Sequence, residues 1–441
     1  MEEFFSHPYI PNSKILNEML KEVGISSIEE LFNDIEKKDF EIFLNEEPME
    51  EYVVYNEVKS MLLKNKIMKC FTGGGPWFHF IPSIIKHIIL RGEFLTSYTP
   101  YQPEISQGVL QALFEFQSMI CELYNMDVAN ASLYDLPTAI GEALLLTSRV
   151  TGRKEVLIPS YIPEDEKLVI RNYTEPVGIK IIEIPFMEDG CLDLEYIKEN
   201  GRVSGIYVET PTFFGTIETK LKDIVEIAHD LGALVIVGAD PLAMGIFKPP
   251  GDYGVDIVVG DGQPLGIPPA MGGNSLGIMA CKNDLKIIRQ MPGRIVGLTI
   301  TKDGKERGFV LALSTREQHI RREKATSNIC TNEALLAIAA AIYMAVMGKE
   351  GIRRVAKKIF YNTQYAINKF KEIGLETVFK GIHFRDFTIK LNVDIVNKVL
   401  KEKGILGPRK ISENIGLFAV TEIHNKKDID ELVEIIGGIL K

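Results

Sequence analysis

The chain has 441 residues, of which 46% are hydrophobic and 25% charged, a composition typical of a globular protein with two or three domains. Its formal net charge of -10 argues against a general nucleic-acid binder, which needs a basic face to displace counterions from phosphates. The five cysteines are odd in number and form no C-x-x-C pair, so neither a disulfide framework nor a zinc ribbon is indicated.

Targeting signals are not apparent in the sequence. The first residues, from Met1 to Phe5, lack the basic and apolar regions of a signal peptide. The longest apolar run, residues 334–347, is shorter than the roughly 20 residues that span a bilayer. We therefore expect a protein of the reducing cytoplasm that has no membrane segment and no nucleic-acid partner.

The N-terminal part of the chain differs in character from the rest. Residues 1–66 are rich in Glu and Lys and contain no obvious strand run, which predicts an acidic helical arm. After Ser106, apolar residues recur at alternating four and three residues, which predicts an amphipathic helix with Ser106 at its N-cap.

The middle of the chain alternates short β-branched runs with segments of helical length. The predicted strands lie at 156–158, 179–184, 206–208, 234–237, 257–259 and 276–280. Strands separated by helices imply parallel pairing with right-handed crossovers, and therefore an α/β core. One predicted helix ends at Gly232 as its C-cap and leads into the strand that ends at Asp240; its shared apolar face consists of Leu221, Ile224, Val225, Ala228 and Leu231. Ligands of open α/β sheets bind beyond such strand ends.

The C-terminal part is predicted to begin with a long, nearly all-apolar helix. This helix starts near Thr331 or Asn332, either of which is able to cap it, and runs to Gly348. Strand-like patches at 387–391 and 417–420 and an amphipathic helix at 428–439 follow. The predicted domains are therefore an arm at 1–66, a large α/β domain at 67–330, and a connecting helix with a small α+β domain at 331–441.

Several common catalytic motifs are missing from the sequence. The glycine-rich stretch 73–76 is not followed by Lys-Ser/Thr, and the glycines at 260, 262 and 266 miss the dinucleotide-binding spacing by one residue. H-E-x-x-H does not occur. His79 and His87 are isolated histidines, so we expect no metal site.

Three dense polar segments stand out, at 96–104, 128–135 and 315–332, and each precedes or opens a predicted helix. Backbone amides at a helix start, together with Ser, Thr and Asn side chains, suit the recognition of phosphate or carboxylate groups. The alternative is that these segments are rigid loops and helix caps, and the residues alone favour neither interpretation.

A family resemblance appears in a set of motifs along nearly the whole chain. The chain resembles the first subunit of the split glycine decarboxylases, the P-proteins of the glycine cleavage system, in DPL at 240–242, FKPPG at 247–251, GQ at 262–263, GIP at 266–268, MPGRIVG at 291–297 and above all REQHIRREKATSNICTN at 316–332.

The resemblance implies an aminotransferase-like fold, that of type I pyridoxal-phosphate-dependent transferases, with a mostly parallel sheet of seven strands and a smaller α+β C-terminal domain. In this fold an Asp at a strand end pairs with the pyridine nitrogen, and a Lys one strand later forms the Schiff base. Asp240 matches the Asp, but Gln263 and Pro264 stand where the lysine belongs, and Lys248 and Lys282 are misplaced. The site of this chain is therefore predicted to be vestigial, without a catalytic residue.

The resemblance also implies partners. A homologous second subunit is expected to bind pyridoxal phosphate covalently, so that together the subunits decarboxylate glycine and pass the aminomethyl group to the lipoyl arm of H-protein. Predicted contributors to the pocket of that subunit are Tyr98, Thr99, Tyr101, Gln102, Ser327, Asn328, Cys330 and Thr331. The basic residues His319, Arg321, Arg322 and Lys324 are interpreted either as a contact with a partner or as a solvated face.

Two other functions remain open at this stage. The first alternative is a purely structural subunit that does not contact the substrate. The second is an autonomous pyridoxal enzyme such as a desulfurase or aminotransferase. The missing lysine argues against the second. The family usually has a small Gly-containing turn after Asp135, whereas this chain has Leu136-Pro137, which makes a phosphate-binding turn less favourable here.

Overall fold

The computed structural model of the protein describes residues 15–35, 48–273 and 275–440. By contacts the chain divides into two units, residues 1–66 and 67–441. The described part of the first unit contains α1 (Leu16–Val23), a 3-10 turn (Ile28–Phe32) and α2 (Glu51–Leu62). The predicted arm thus has helices where it is described, and its remaining residues, 1–14 and 36–47, lie outside the described residues.

The second unit contains the other helices and all the described strands. Its helices are α3 (Ser83–Ile89), α4 (Gly92–Leu95), α5 (Gln107–Tyr124), α6 (Leu136–Thr151), α7 (Glu164–Thr174), α8 (Leu194–Asn200), α9 (Leu221–Asp230), α10 (Leu285–Ile288), α11 (Gln318–Arg321), α12 (Ala334–Glu372), α13 (Val393–Glu402) and α14 (Lys426–Leu440). Its strands are β1 (Lys69–Cys70), β2 (Val128–Ala129), β3 (Glu155–Pro159), β4 (Lys180–Ile184), β5 (Gly205–Thr210), β6 (Leu234–Ala239), β7 (Ile257–Asp261), β8 (Gly277–Cys281), β9 (Ile295–Ile300), β10 (Arg307–Ala312), β11 (Asp386–Lys390), β12 (Ile405–Leu406), β13 (Arg409–Ser412) and β14 (Ile415–Ala419).

A seven-stranded sheet forms the centre of this unit, with the strand order β2-β8-β7-β6-β5-β3-β4. The strands from β3 to β7 pair in parallel, so the predicted mostly parallel sheet is confirmed. The predicted parallel direction of the strand at 276–280 is wrong, because β8 runs antiparallel to β7 and to β2. Direction depends on the connection between strands, and the described residues of the connection from 262 to 276 form no crossover helix.

Hydrophobic clusters cover both faces of the sheet, because successive side chains of a strand point to opposite sides. In β5, Ile206 and Val208 belong to one cluster and Tyr207 to the other. The first cluster includes apolar residues of α5, α9 and α12, and the second includes residues of α6 and α7. Ser106 holds the predicted N-cap position of α5, although its side chain makes no capping bond to the described residues.

The connecting helix differs from its prediction in start and length. It begins at Ala334, so neither Thr331 nor Asn332 is its N-cap, and the Asn332 side chain instead donates to the Ala131 carbonyl. It continues to Glu372 across a kink at Gly348. By length and composition it is the one described helix able to span a membrane, but half of its apolar window is buried inside the fold. Its buried residues join the hydrophobic core, so it is a core helix.

The small domain begins with the second half of α12. Its antiparallel sheet has the order β11-β14-β13, and α13 and α14 bury their apolar faces with residues of α12 in a separate cluster. The predicted strands at 387–391 and 417–420 and the last helix are confirmed, whereas β13 and α13 were missed. The domain boundaries at 66 and 330 stay predictions.

Close backbone contact joins the small domain to the sheet at Gly215. Gly215 has a positive φ of 86°, and a Cβ atom there would lie 1.8 Å from the Asp386 carbonyl oxygen. Gly178 also has a positive φ, of 73°, but open space around it. We therefore expect Gly215→Ala to lower the unfolding free energy by about 3 kcal/mol and Gly178→Ala by about 1 kcal/mol, measured by urea denaturation. Equal losses of unfolding free energy in the two variants would contradict the close contact between Gly215 and Asp386.

Candidate functional site

Carboxyl groups collect at the edge of the sheet where the parallel strands end. Glu209 lies near the end of β5, Asp240 follows β6, and Asp261 ends β7. These residues line a cavity of about 90 Å³ together with Glu166 and Asp386. This is the place at which ligands of open α/β sheets bind, so the cavity corresponds to the predicted cofactor position.

Asp240, the predicted partner of a pyridine nitrogen, is fully engaged within the chain. Its Oδ1 accepts hydrogen bonds from the backbone N–H groups of Leu242 and Ala243, at 2.8 and 3.0 Å. Its Oδ2 lies 2.5 Å from Nη2 of Arg385, a buried residue of the small domain. A cofactor nitrogen would have to displace this ion pair.

Arg385 and Trp77 occupy one side of the same cavity. The guanidinium of Arg385 lies 3.3 Å from the centroid of the Trp77 ring, and its Nε donates to Asp386 at 3.1 Å. The Asp386 carboxylate also accepts hydrogen bonds from the Trp77 indole N–H and the Gly74 amide, at 3.1 and 2.8 Å. A stacked aromatic and cation therefore stand beside the strand ends.

Gln263, at the position predicted for the cofactor lysine, holds the backbone of Trp77. Its Oε1 accepts from the Trp77 amide at 3.2 Å, and its Nε2 donates to the carbonyls of Trp77 and Ile267, at 3.0 and 2.8 Å. Both ends of the buried carboxamide are thus satisfied, and the following Pro264 is also buried. A carboxamide cannot form the Schiff base that a lysine amine forms.

The start of α6 does not suit a phosphate group. The Asp135 side chain caps this helix by accepting from the Thr138 amide at 2.8 Å, and Pro137 has no N–H to offer. Leu136 lines the cavity. The Asp135 carboxylate therefore already interacts with the positive end of the α6 dipole, where a phosphate would bind. With several further carboxyl groups around it, this set of residues does not fit pyridoxal phosphate.

The buried carboxyl groups of the cavity hold their protons more tightly than usual. Burial raises the pKa of Glu209 to about 7, despite hydrogen bonds from the Tyr207 hydroxyl and the Phe213 amide. Burial, followed by repulsion from Glu209, raises the pKa of Glu166 to about 8. Burial also raises the pKa of Asp261. The cavity thus tolerates its crowded carboxyls by keeping some of them neutral.

A second candidate region lies where the loop at 96–104 meets the segment at 315–332. The Tyr98 hydroxyl is 3.0 Å from the Thr331 hydroxyl. The Tyr101 hydroxyl accepts from Nη2 of Arg294, which also donates to the Cys330 carbonyl at 2.9 Å. Two segments that are far apart in sequence, both predicted as pocket contributors, therefore contact each other. Tyr98 and Tyr101 are 68% and 44% exposed, so their rings face outward.

The remaining predicted contributors are distributed around this contact. Thr99 is half-buried and Gln102 is exposed in the same loop as Tyr101. Ser327 donates to Glu142 at 2.6 Å, and with Asn328 it lines a different cleft of about 530 Å³ beside α6. The structure therefore brings Cys330 and Thr331 to the two tyrosines but turns Ser327 and Asn328 toward Glu142. Their role in a partner's pocket stays a prediction.

The four basic residues of the predicted contact patch are exposed. His319 packs edge-on against Tyr101, with ring centroids 5.6 Å apart. Arg321 donates from Nε to the Thr315 carbonyl at 3.1 Å, and Arg322 has a positive φ of 53°. Pairing of the patch with Glu317 is limited to His319 at 3.7 Å, since Glu317 forms an ion pair with Arg294.

Sequence reasoning missed Trp77, Arg385 and Arg294. Trp77, the single tryptophan of the chain, follows directly after the glycine-rich stretch 73–76. Arg294 stands in the MPGRIVG motif, so a charged residue between apolar neighbours was the available signal. Arg385 has no comparable signal in its local sequence, because its partners come from distant elements.

Comparison with known proteins identifies the family. The model of the glycine cleavage system P-protein family matches residues 7–436. The chain belongs to the P-protein family. It is similar to the probable glycine dehydrogenase (decarboxylating) subunit 1 of Thermococcus kodakarensis and to that of Sulfurisphaera tokodaii. Each is 47% identical and aligns with 98% of this chain, over 98% and 99% of its own length respectively.

Solved structures agree with this P-protein assignment. A crystal structure of glycine decarboxylase (P-protein) of the glycine cleavage system, in inhibitor-bound form, is 40% identical, with a TM-score of 0.84 over 97% of this chain and 98% of that chain. An alanine–glyoxylate aminotransferase from Nostoc sp., 15% identical with a TM-score of 0.59 over 92% of this chain and all of that one, shares the fold alone. The predicted aminotransferase-like fold is confirmed.

Restoring the lysine is expected to be insufficient for cofactor binding. In Gln263→Lys, the Trp77 indole is still bonded to Asp386 and the Asp135 cap remains, so added pyridoxal phosphate should give no visible Schiff-base absorbance. Gln263→Met is the matched control, because it loses the same hydrogen bonds without gaining an amine. A visible band in the lysine variant alone, removed by borohydride, would show that the cavity does accept the cofactor.

The carboxyl groups of the cavity should make stability depend on pH. The ordinary pKa of a glutamate is 4.5, so between that pH and the raised values of about 7 and 8 the folded chain holds extra protons. The protonated Glu166 and Glu209 therefore contribute to stability in full below the ordinary pKa of a glutamate. This contribution is lost as the pH rises through the window between the ordinary and the raised pKa values. Glu209→Gln should therefore be more heat-stable than the wild type at about pH 8.5 and close to it at about pH 5.

The control for this experiment is Glu199→Gln, an exposed carboxyl at the end of α8. Its melting temperature should follow that of the wild type at both pH values. If Glu209→Gln and the wild type keep the same difference in melting temperature across the range, Glu209 does not hold an extra proton in the folded chain.

Proposed function

We propose that this chain is the non-lysine-bearing subunit 1 of a two-subunit glycine decarboxylase. Together with a homologous subunit 2 that binds pyridoxal phosphate on its lysine, it would decarboxylate glycine and pass the aminomethyl group to the lipoyl arm of H-protein. The relatives named as subunit 1 align over nearly their full length. We place this complex, proposed as a heterotetramer, in the cytoplasm.

The observation that carries the proposal is the engagement of Gln263 at the lysine position. Its carboxamide is hydrogen-bonded at both ends to the backbone, and the neighbouring Asp240 is paired with Arg385. A chain of this family that fills its own cavity in this way needs a second subunit for carbonyl chemistry. Bound on that subunit, pyridoxal phosphate supplies the electron sink for the loss of carbon dioxide.

The contribution of this chain is proposed to come from its tyrosine loop. Tyr98 and Tyr101 face outward and are held by Thr331 and Arg294 behind them. Placed at the mouth of the partner's pocket, with Thr99, Gln102 and Cys330 beside them, they would orient glycine and exclude water. Ser327 and Asn328 would lie next to this wall, in the cleft beside Glu142.

The exposed basic patch is proposed to bind a protein surface of opposite charge. His319, Arg321, Arg322 and Lys324 are close to the tyrosine loop through the contact of His319 with Tyr101. On a chain with a net charge of -10, a local basic face is unusual and would guide an acidic carrier protein toward the loop. We assign this role to H-protein.

Reconstitution tests the proposal. The purified chain alone should release no labelled carbon dioxide from glycine, whereas addition of subunit 2 and lipoylated H-protein should give release. Arg321→Glu combined with Arg322→Glu should raise the KM for H-protein roughly tenfold without changing the KM for glycine. The control is Lys398→Glu with Lys401→Glu, an equal charge change on α13 that should have no effect.

Other outcomes would select the alternative functions. Activity of this chain with pyridoxal phosphate alone would indicate an autonomous enzyme. Full activity of an assembled complex in which Tyr98 and Tyr101 are both replaced by Ala would indicate a purely structural subunit. Equal effects of the two charge-reversed pairs would remove the docking role of the basic patch.

A further inference from the structure

Arg294 is a buried cation that connects three segments of the chain. It lies just before β9 and is 3% exposed. Its Nη1 forms an ion pair with Glu317, and its Nη2 donates to the Tyr101 hydroxyl at 2.8 Å and to the Cys330 carbonyl at 2.9 Å. The side chain thereby fixes the tyrosine loop to the segment at 315–332.

The guanidinium controls both the ring and the hydroxyl of Tyr101. Its central carbon lies 4.5 Å from the ring centroid, and the imidazole of His319 packs against the ring at 5.6 Å. These contacts restrict rotation of the ring. Tyr101 is nevertheless 44% exposed, so it is held from behind while its outer side remains open.

The direction of the hydrogen bond determines what Tyr101 is able to recognise. A guanidinium has no acceptor, so in the Arg294 contact the tyrosine oxygen must accept. The single proton of the hydroxyl is then free to point away from Arg294, toward the exposed side. Tyr101 is therefore presented outward as a hydrogen-bond donor, which suits an anionic oxygen such as a carboxylate.

A contribution to the stability of the fold does not explain why Arg294 and Glu317 are buried here. The Arg294 Nε and the Glu317 Oε1 are buried without a hydrogen-bond partner among the described residues. A buried ion pair with unmade hydrogen bonds contributes little relative to apolar residues of similar volume, because both charges lose their hydration. The geometry that it imposes on Tyr101 is the feature that apolar residues would not reproduce.

We propose that Arg294 is a positioning residue that sets the Tyr101 hydroxyl as a donor to the carboxylate of the substrate in the partner subunit's pocket. This inference rests on the proposed function. Arg294 itself does not touch the substrate, and its effect passes through the orientation of Tyr101.

The experiment is a double-mutant cycle in the complex reconstituted with subunit 2 and lipoylated H-protein. Tyr101→Phe should raise the KM for glycine roughly tenfold with a smaller change in kcat, since a hydrogen bond to a charged group is lost. Arg294→Met should have a similar effect. Adding Arg294→Met to Tyr101→Phe should cause little further loss, because the hydroxyl that Arg294 orients is already absent.

Two further variants separate positioning from general support. Arg294→Lys keeps a cationic donor and should recover part of the glycine KM relative to Arg294→Met. Arg307→Met removes an exposed arginine on the neighbouring hairpin strand β10 and should match the wild type. Light scattering establishes that each variant assembles, and Arg294→Lys carries the test if Arg294→Met does not.

The possible failures are distinguishable. If the wild-type complex does not decarboxylate glycine, the proposed function is wrong. If the wild type is active but assembled Arg294 variants keep the wild-type glycine KM, the positioning role is wrong. It is also overturned if the losses in Arg294→Met and Tyr101→Phe multiply in the double variant, because Arg294 would then act independently of the hydroxyl.

Discussion

The balance of charge at the carboxyl edge of the sheet governs this structure. Several carboxyl groups converge on one cavity, and the buried guanidinium of Arg385 lies between Asp240 of the large domain and Asp386 of the small domain. Buried like charges are tolerated only when they are paired or protonated. Arg385 pairs with two of them, and the raised pKa values of Glu166 and Glu209, about 8 and about 7, keep a fraction of these two groups protonated at neutral pH.

This arrangement also joins the two domains. Trp77 stacks on Arg385 and is held by Gln263, so residues from the segment before α3, the loop after β7 and the first strand of the small domain form one cluster. The interactions that crowd the cavity are thus the same ones that fix the small domain against the sheet.

The two polar regions therefore have opposite characters. Most polar groups that line the cavity at the strand ends are hydrogen-bonded within the chain, although Nη1 of Arg385 has no partner among the described residues. The tyrosine loop, in contrast, is anchored from behind and exposed in front. Chemical groups of the first region serve the fold. Groups of the second region, with Tyr101 held by Arg294, remain available to another molecule. A subunit that acts through a partner is expected to have this distribution of its polar groups.

Much of the architecture could be predicted from the sequence, because hydrophobic periodicity and turn residues are local signals. The central strands and α9 were placed to within a few residues, and the absence of a lysine near Gln263 is a matter of covalent identity. The direction of β8 and the true start of α12 were missed, since both depend on packing between elements. The kink at Gly348 likewise concealed the continuation of that helix.

The sequence by itself determined the α/β class, the Asp at the strand end and the glutamine, in place of an amine, at position 263. Only the tertiary structure decided which side chains surround them. Trp77 and Asp386 are 309 residues apart along the chain, and Arg294 and Tyr101 are 193 apart, yet each pair is hydrogen-bonded. No local pattern encodes such distant pairs, because their proximity results from the packing of whole elements around the sheet.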